Sequence, residues 1–373
     1  MMRLGNFRAT DWVLTGTAVL LVLLGMAMVL STTSDKDLVS ARLVRQMLAA
    51  VLGLGAYTAV SLFPYHRWRR YVPLIFAASV AALFATSQIA PIIRGTASRL
   101  QIGGGLQVQP SEFVKISIVC ILAWYFAGRP ATGKTIVVSG LLTTLAAGLI
   151  ILEPDLGAAA LLVGAWAGLI IYLGVPWRTI SILAAIAAIA ALAAWQTSLA
   201  DYQKQRVLTF LNPAADPLGA GYNVTQSLVA LGSGGLFGRG LGHGPQSQLN
   251  FLPEQHTDFI VASIGEELGF IGIILLLALY SVLLWRIYAI ARETGDPFGK
   301  YLAVGVYLLL LGGLFINAGM NMGLLPVTGI PLPLVSYGGS SLVSTFILLG
   351  IVQSVRMHST WVRTPPKELE YVA

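Results

Sequence analysis

The sequence predicts an all-α, polytopic membrane protein with about ten transmembrane helices and one large extracytoplasmic loop. Three observations carry that prediction. Hydrophobic residues make up 56% of the 373 and only 10% are charged. The mean hydropathy is +0.78. Apolar runs of about 20 residues, each long enough to cross a hydrocarbon layer, recur from one end of the chain to the other. The whole of 1–373 reads as one membrane domain, with no soluble domain, tandem repeat or low-complexity tract. The single cysteine, Cys120, lies in an apolar stretch, which excludes an intramolecular disulfide and a thiolate metal cluster and assigns it to packing. The net charge of +7 is scattered over short segments between spans, so it orients the chain in a membrane and does not mark a nucleic-acid-binding face.

Taken in order, spans are expected near 12–30, 43–63, 72–90, 113–128, 135–152, 157–173, 179–198, 259–287, 301–322 and 341–357. The first follows a short basic segment containing Arg3 and Arg8, but it is full length and has no small-residue cleavage site, so it is read as a retained helix. An even number of spans puts both termini on one side. Fourteen of the 23 Lys and Arg fall on that side, Arg67, Arg69, Arg70 and Arg356 among them, against nine on the other. The positive-inside rule therefore makes the termini cytoplasmic. The segment of about 199–258, between the seventh and eighth spans, is then external. It holds turn formers from Asn212 to Gly219 and a glycine-rich stretch from Gly232 to Gly244. Loops this long are functional or disordered in compact proteins; the aromatic, apolar and amide content of this one predicts an ordered, partly membrane-embedded element. From His358 onward a short polar tail, about 358–373, is expected on the cytoplasmic side.

Ionisable residues are scarce, so the places where they crowd are informative. In Phe251-Leu-Pro-Glu-Gln-His-Thr-Asp258, the residues Glu254, His256 and Asp258 stand at alternate positions just before the eighth span. An extended backbone would point all three the same way. At a helix N-terminus Asp258 has two readings, a capping carboxylate or a functional one. One His with two carboxylates is a poor zinc set; a general base beside a loosely held divalent cation fits better. The second crowd, Gln109-Pro-Ser-Glu-Phe-Val-Lys115, opens the fourth span. Pro110 and Ser111 suit a helix start, and Glu112 and Lys115, three apart, pair on one face. Intramembrane charges cost about 2.5–3.5 kcal/mol each, and they usually face a cavity. Arg45-Gln46, Arg99 and Glu153-Pro-Asp155 share this outer half, with interfacial snorkelling as the plain reading for each. Glu266 lies eight residues beyond Asp258 on roughly the same helical face. Asn317 and Asn321, four apart, are expected to bond helix to helix rather than to a ligand.

These segments resemble the SEDS family (shape, elongation, division and sporulation), and the resemblance spans nearly the whole chain. It rests on Gln109 to Lys115, Arg206-Val-Leu-Thr-Phe-Leu-Asn-Pro213, Asp216 to Ser227, Phe251 to Ile260, Gly265-Glu-Glu-Leu-Gly269, and Pro331-Leu-Pro-Leu-Val-Ser-Tyr-Gly-Gly-Ser-Ser341. Thr328-Gly-Ile-Pro-Leu-Pro333, the Gln246 to Pro253 approach and the brief termini are closer to the elongation branch than to the division branch. Ala97-Ser-Arg-Leu100 departs from the Arg-Trp pair of many relatives. The family's members are membrane glycosyltransferases that polymerise lipid II into peptidoglycan, so the resemblance implies that activity at the outer face of a bacterial cytoplasmic membrane, in cell elongation and shape maintenance. It implies Asp258 as the essential acid and candidate general base, the Glu112 and Lys115 pair in a central cavity, and Glu254, His256 and Glu266 in support. It further implies Arg45, Gln46, Arg99, Lys115, Arg206, Arg239, Ser336 and Tyr337 as contacts for substrate and pyrophosphate. No organic cofactor is expected; a magnesium or manganese ion is a candidate to share phosphate neutralisation. The implied partners are a class B penicillin-binding protein, a transpeptidase, with the eighth and ninth spans as the expected contact, and other membrane proteins of the elongation complex.

Other function classes predict different patterns. A lipid II flippase needs charged sites reachable from both faces, and an ion-coupled carrier needs paired broken helices in matching halves. The ionisable clusters lie mostly near one face and no internal repeat is evident. That ranks the enzyme first, the flippase second and the carrier last, with a division or sporulation paralogue as the alternative within the family.

Overall fold

The computed structural model describes residues 9–32, 36–89, 100–102, 106–197, 199–212, 220–249 and 251–359. Arg99, most of the turn-forming stretch after Asn212, and the tail from 360 lie outside them. In chain order the elements are α1 (Trp12–Ser31), α2 (Lys36–Leu62), α3 (Tyr65–Trp68), a 3-10 turn (Arg69–Tyr71), α4 (Val72–Ile89), β1 (Leu100–Ile102), β2 (Leu106–Val108), α5 (Pro110–Phe126), α6 (Gly133–Leu152), α7 (Leu156–Tyr172), α8 (Trp177–Thr197), α9 (Asp201–Leu211), α10 (Ala220–Ser233), α11 (Pro245–Gln248), α12 (Ile260–Glu293), α13 (Pro297–Asn321) and α14 (Gly339–His358). Among the described residues eight helices are long and apolar enough to cross a membrane. The 17-residue helices α5 and α7 complete the expected ten. The small antiparallel pair of β1 and β2, Leu100 opposite Val108, is the one departure from an all-helical chain among the described residues.

Local chemistry starts these helices where the sequence places them. Asp11 caps α1 by accepting from the Leu14 N–H at 3.0 Å, Asp155 caps α7 through Ala158 at 2.9 Å, and Asp296 caps α13 through Gly299 at 2.9 Å, each satisfying a donor that the first turn leaves orphaned. Pro110 and Pro297 occupy first-turn positions, where a missing N–H costs nothing. Helix–helix association in lipid rests on close packing and polar ties rather than on water exclusion. α5 sits centrally, against α4, α6, α7, α13 and α14, and Cys120 is buried in it, as packing predicts. α2 packs along α14, and α12 along α1 and α13. The Arg286 guanidinium of α12 ties to Asp11, Nε lying 3.1 Å from Oδ2. α8 buries none of its residues in the bundle, which leaves its apolar surface to lipid.

Candidate functional site

The described residues between α8 and α12 include the helices α9, α10 and α11, and the glycine-rich part is built into α12 itself. Gly269 has φ +67°, which interrupts α12. In an unbroken helix the carbonyls of Glu266 and Glu267 accept from the N–H groups of residues 270 and 271. Here they accept instead from Arg239 at 2.9 Å and Gly240 at 3.0 Å, while the N–H groups of Phe270 and Ile271 donate to Gly235 O at 2.9 Å and Leu236 O at 3.2 Å. The loop thus replaces the missing rungs of the helical ladder. Gly238 (φ +81°) and Gly269 admit this approach: a Cβ on Gly238 would meet Glu267 O at 2.1 Å, and one on Gly269 would meet Gly238 N at 2.3 Å. Glu266, fully buried, fastens the end of the loop by accepting from Gln246 N at 2.8 Å, Ser247 N at 3.0 Å and Ser247 Oγ at 2.6 Å. Its carboxylate caps α11. Glu266 therefore supports the site and does not face a ligand.

This frame fixes the approach to Asp258. The sequence expectation of an extended Glu254-His256-Asp258 face is overturned: Glu254 has φ +51°, and the N–H groups of Thr257, Asp258 and Phe259 all turn back to its carbonyl at 3.1–3.2 Å. Glu254 is exposed and accepts from Thr257 Oγ1 at 3.0 Å; His256 packs edge-on against Tyr337 with ring centroids 5.7 Å apart. The N-cap position of α12 is Phe259 rather than Asp258, and Phe259 makes no capping bond of its own. What holds Asp258 is its main chain. The Asp258 carbonyl accepts from Asn317 Nδ2 and Asn321 Nδ2, both at 3.0 Å, while Asn321 Oδ1 accepts from Ala262 N at 3.0 Å. Asn317 also donates to Ile330 O at 2.7 Å. The pair bonds helix to helix, as expected, and it sets the position of the carboxylate. On the far side, Asp258 Oδ2 lies 3.6 Å from where a Cβ on Gly329 would stand, which places the side chain over the 329–333 segment.

Residues 330–333 also wall a cavity holding the second cluster. Lys115 Nζ lies 2.7 Å from Glu112 Oε1, and Ser344 Oγ donates to Glu112 Oε2 at 2.9 Å. Leu161, Leu309, Ile330, Pro331 and Thr345 are among the lining residues, and the free volume is about 20 Å3, room for about one water. Asp258 does not line it. Asp155, just ahead of α7, feels the charges of Lys115, Glu112 and Arg206; burial is the main cause that raises its carboxyl above the usual range. Glu153 is buried and bonded to Thr86 Oγ1 at 3.0 Å, and burial pushes its carboxyl up to about 7.

The remaining expected contacts divide. Gln46 and Ser336 are clasps within the fold. Gln46 Nε2 donates to Ser336 O and its Oε1 accepts from Gly338 N, both at 3.3 Å. Ser336 Oγ accepts from Leu332 N at 2.8 Å and donates to Thr257 O. These bonds join α2, the 332–338 segment and the Asp258 turn. Tyr337 N donates to His256 O at 2.8 Å. Arg45 and Arg239 are exposed and Arg206 is half-buried on α9. Among the described residues no three His, Cys, Asp or Glu converge as a metal-binding group.

From residue 11 to residue 361 the chain matches the model of the cell cycle protein family that groups FtsW, RodA and SpoVE. The chain belongs to that family. Curated relatives within the FtsW/RodA/SpoVE family include peptidoglycan glycosyltransferase MrdB of Escherichia coli (strain K12), 38% identical over 346 residues that cover 91% of this chain and 92% of the relative. Peptidoglycan glycosyltransferase RodA of Treponema pallidum (strain Nichols) is 30% identical, covering 95% and 99%. Stage V sporulation protein E of Bacillus subtilis (strain 168) is 35% identical, covering 94% and 98%. The family fold is equally evident in solved structures. The rod shape determining protein RodA of Thermus thermophilus superposes with a TM-score of 0.70 at 28% identity over 93% of this chain and 96% of the other. A chain from work on the structural coordination of polymerization and crosslinking by a peptidoglycan synthase complex reaches 0.80 at 31% identity, over 93% and 97%.

Proposed function

We propose that this chain is a peptidoglycan glycosyltransferase of cell elongation and shape maintenance, polymerising lipid II at the outer face of a bacterial cytoplasmic membrane. Family membership and glycosyltransferase relatives at up to 38% identity support the enzyme class. The observation that carries the choice of Asp258 is the two-asparagine clasp on its carbonyl, which fixes the main chain from which the carboxylate projects. Preorganisation of that kind is what a general base needs. Asp258 takes the proton of the acceptor GlcNAc 4-hydroxyl as that oxygen attacks the donor sugar carbon bearing the lipid pyrophosphate. The C–O bond to pyrophosphate breaks, and its electron pair leaves with the phosphate. Lipid II carries its own activated leaving group, so the reaction calls for no nucleotide sugar or organic cofactor. Arg45, Arg206 and Arg239 are the described cations suited to phosphate oxygens. A magnesium or manganese ion would have to be shared between Asp258 and substrate phosphates, since the described side chains offer no closed donor set.

The distribution of Lys and Arg supports cytoplasmic termini and an external site. The likeness to a chain of a peptidoglycan synthase complex supports a class B penicillin-binding protein as partner, with the exposed apolar face of α13, including Phe315, as the proposed contact.

The test is strand formation from labelled lipid II by purified protein with its transpeptidase partner, comparing the native chain with Asp258→Asn and scanning magnesium and manganese. The native chain is expected to make long strands, and the variant to lose about 10²–10⁴ in rate with folding and lipid II binding retained. Full activity of Asp258→Asn removes that residue from the mechanism. Absence of polymer from both, with lipid II binding intact, favours flipping instead.

A further inference from the structure

The glycine-rich loop ends in side chains that face outward. Leu236 is 64% exposed and Phe237 79%, beside Phe270 at 57% and Ile271 at 52% on α12. The backbone bonds from Phe270 to Gly235 and from Ile271 to Leu236 fix the tip of the loop at the level of residues 270–271 of the helix. That level can be worked out from the helix itself. Arg286, paired with Asp11 directly ahead of α1, and the exposed Trp285 beside it, mark the opposite edge of the hydrocarbon layer, where aromatic and basic anchors belong. Phe270 stands sixteen residues away, which at 1.5 Å per residue is about 24 Å. The hydrocarbon layer is about 30 Å thick, so the tip lies about 6 Å inside it. Glu266, whose carbonyl receives the Arg239 N–H, stands beyond the break at Gly269, further from Arg286 than the tip and so further toward the outer headgroups.

We infer that the segment Gly234–Gly240 is a re-entrant element, with Leu236 and Phe237 inserted among the acyl chains of the outer leaflet and Arg239 at the level of lipid phosphates. Three observations make lipid the occupant. The patch continues the outward apolar face of α12 formed by Ile274, Leu275 and Val282. The carbonyls of Gly235 and Leu236 accept from Phe270 N and Ile271 N, and the N–H groups of Gly238, Arg239 and Gly240 donate to Gly234 O, Glu266 O and Glu267 O, so these backbone groups are paired with protein, as non-helical backbone at membrane depth requires. The charge order along the segment, apolar tip and then arginine, matches the change from hydrocarbon to phosphate. The consequence for the proposed reaction is positional: the element that carries the chain to Asp258 is anchored at the depth where a lipid-linked pyrophosphate lies.

The test reads depth and uses no catalytic readout, so it stands or fails apart from the glycosyltransferase reading. In a Cys120→Ser background, Phe237→Cys and Leu236→Cys carry an environment-sensitive fluorophore in phosphatidylethanolamine and phosphatidylglycerol liposomes. Ile274→Cys serves as the lipid-facing standard and Pro253→Cys as the aqueous one. Both loop positions are expected to be quenched by acyl-chain spin labels as Ile274→Cys is, and severalfold less by iodide than Pro253→Cys. Iodide quenching equal to that of Pro253→Cys overturns the inference by placing the tip in water. Protection from both quenchers overturns it as well, by showing a protein contact. Two loop positions, both exposed, guard against one substitution that misfolds.

Discussion

Substitution of Glu112 by Gln tests whether the buried pair on α5 is structural, functional or both. The Glu112 and Lys115 side chains are only 6% and 11% exposed, with 2.7 Å between Oε1 and Nζ. Removing the carboxylate charge strands an ammonium in a cavity of about 20 Å3, which admits about one water. Breaking a buried pair on one side costs about 3–5 kcal/mol, whereas replacing both partners with well-packed neutral groups is often close to neutral. One water and the retained amide dipole relieve part of the loss, so Glu112→Gln is expected to destabilise by about 3 kcal/mol. The double variant Glu112→Gln/Lys115→Met is expected to return to within about 1 kcal/mol of native. Thermal unfolding of the native protein, Glu112→Gln, Lys115→Met and the double variant in one detergent gives the cycle, and lipid II polymerisation is measured alongside. If stability returns in the double variant while activity does not, the charges serve substrate. A single variant as stable as native, or a double variant no better than the single, refutes the reasoning from burial.

Three other changes probe the frame. Gly269→Ala places a Cβ 2.3 Å from Gly238 N at φ +67°; a strained backbone of this kind costs about 1–3 kcal/mol, and faster amide exchange at Arg239, Gly240, Phe270 and Ile271 is expected, with unchanged exchange as the contrary result. Asn321→Leu takes the partner from the Ala262 N–H and one of two from the Asp258 carbonyl, which keeps Asn317; a buried group left unpaired costs about 1–3 kcal/mol, and the polymerisation rate is expected to fall while lipid II binding persists. Glu153→Gln addresses pH. The folded carboxyl sits near 7 against an ordinary 4.5, so the folded state binds more protons between those values and Glu153 lowers stability as pH rises through that window. The variant is expected to lose this component and to gain stability over native above pH 7, measured as the difference in Tm between the two proteins from pH 4.5 to 8.

The fold was legible because its signal is long and redundant: ten apolar stretches, most with a Pro, Asp or Thr at the start, survive any single misreading. The pairing of Glu112 with Lys115 was legible for a local reason, three-residue spacing on one helix. The arrangement around Asp258 was not. Alternation at 254, 256 and 258 fitted an extended backbone, but a positive φ at Glu254 gathers three N–H groups onto one carbonyl, and the turn is tied to Tyr337 and Ser336, distant contacts that no local pattern encodes. The break in α12 was hidden for the same reason. Gly265-Glu-Glu-Leu-Gly269 continues a helical period, and only the approach of Gly235 and Leu236, over thirty residues earlier, supplies the acceptors that let Phe270 and Ile271 leave the ladder.

Polar residue identity locates a site more reliably than it assigns a role within it. Gln46, Ser336 and Glu266 all stand near the carboxylate turn, and sequence reading placed them with substrate or its support. Each has spent hydrogen-bonding capacity on the main chain: Gln46 on Ser336 and Gly338, Ser336 on Leu332 and Thr257, and Glu266 on Gln246 and Ser247. Irregular backbone near a membrane surface cannot rely on water for its partners, so side chains must provide them. A long loop that holds the proposed general base beside the membrane therefore demands a surplus of polar side chains over those the chemistry uses. The exposed arginines, whose guanidinium groups are not spent on that frame in the contacts described, are the better candidates for phosphate than the amides and hydroxyls between them.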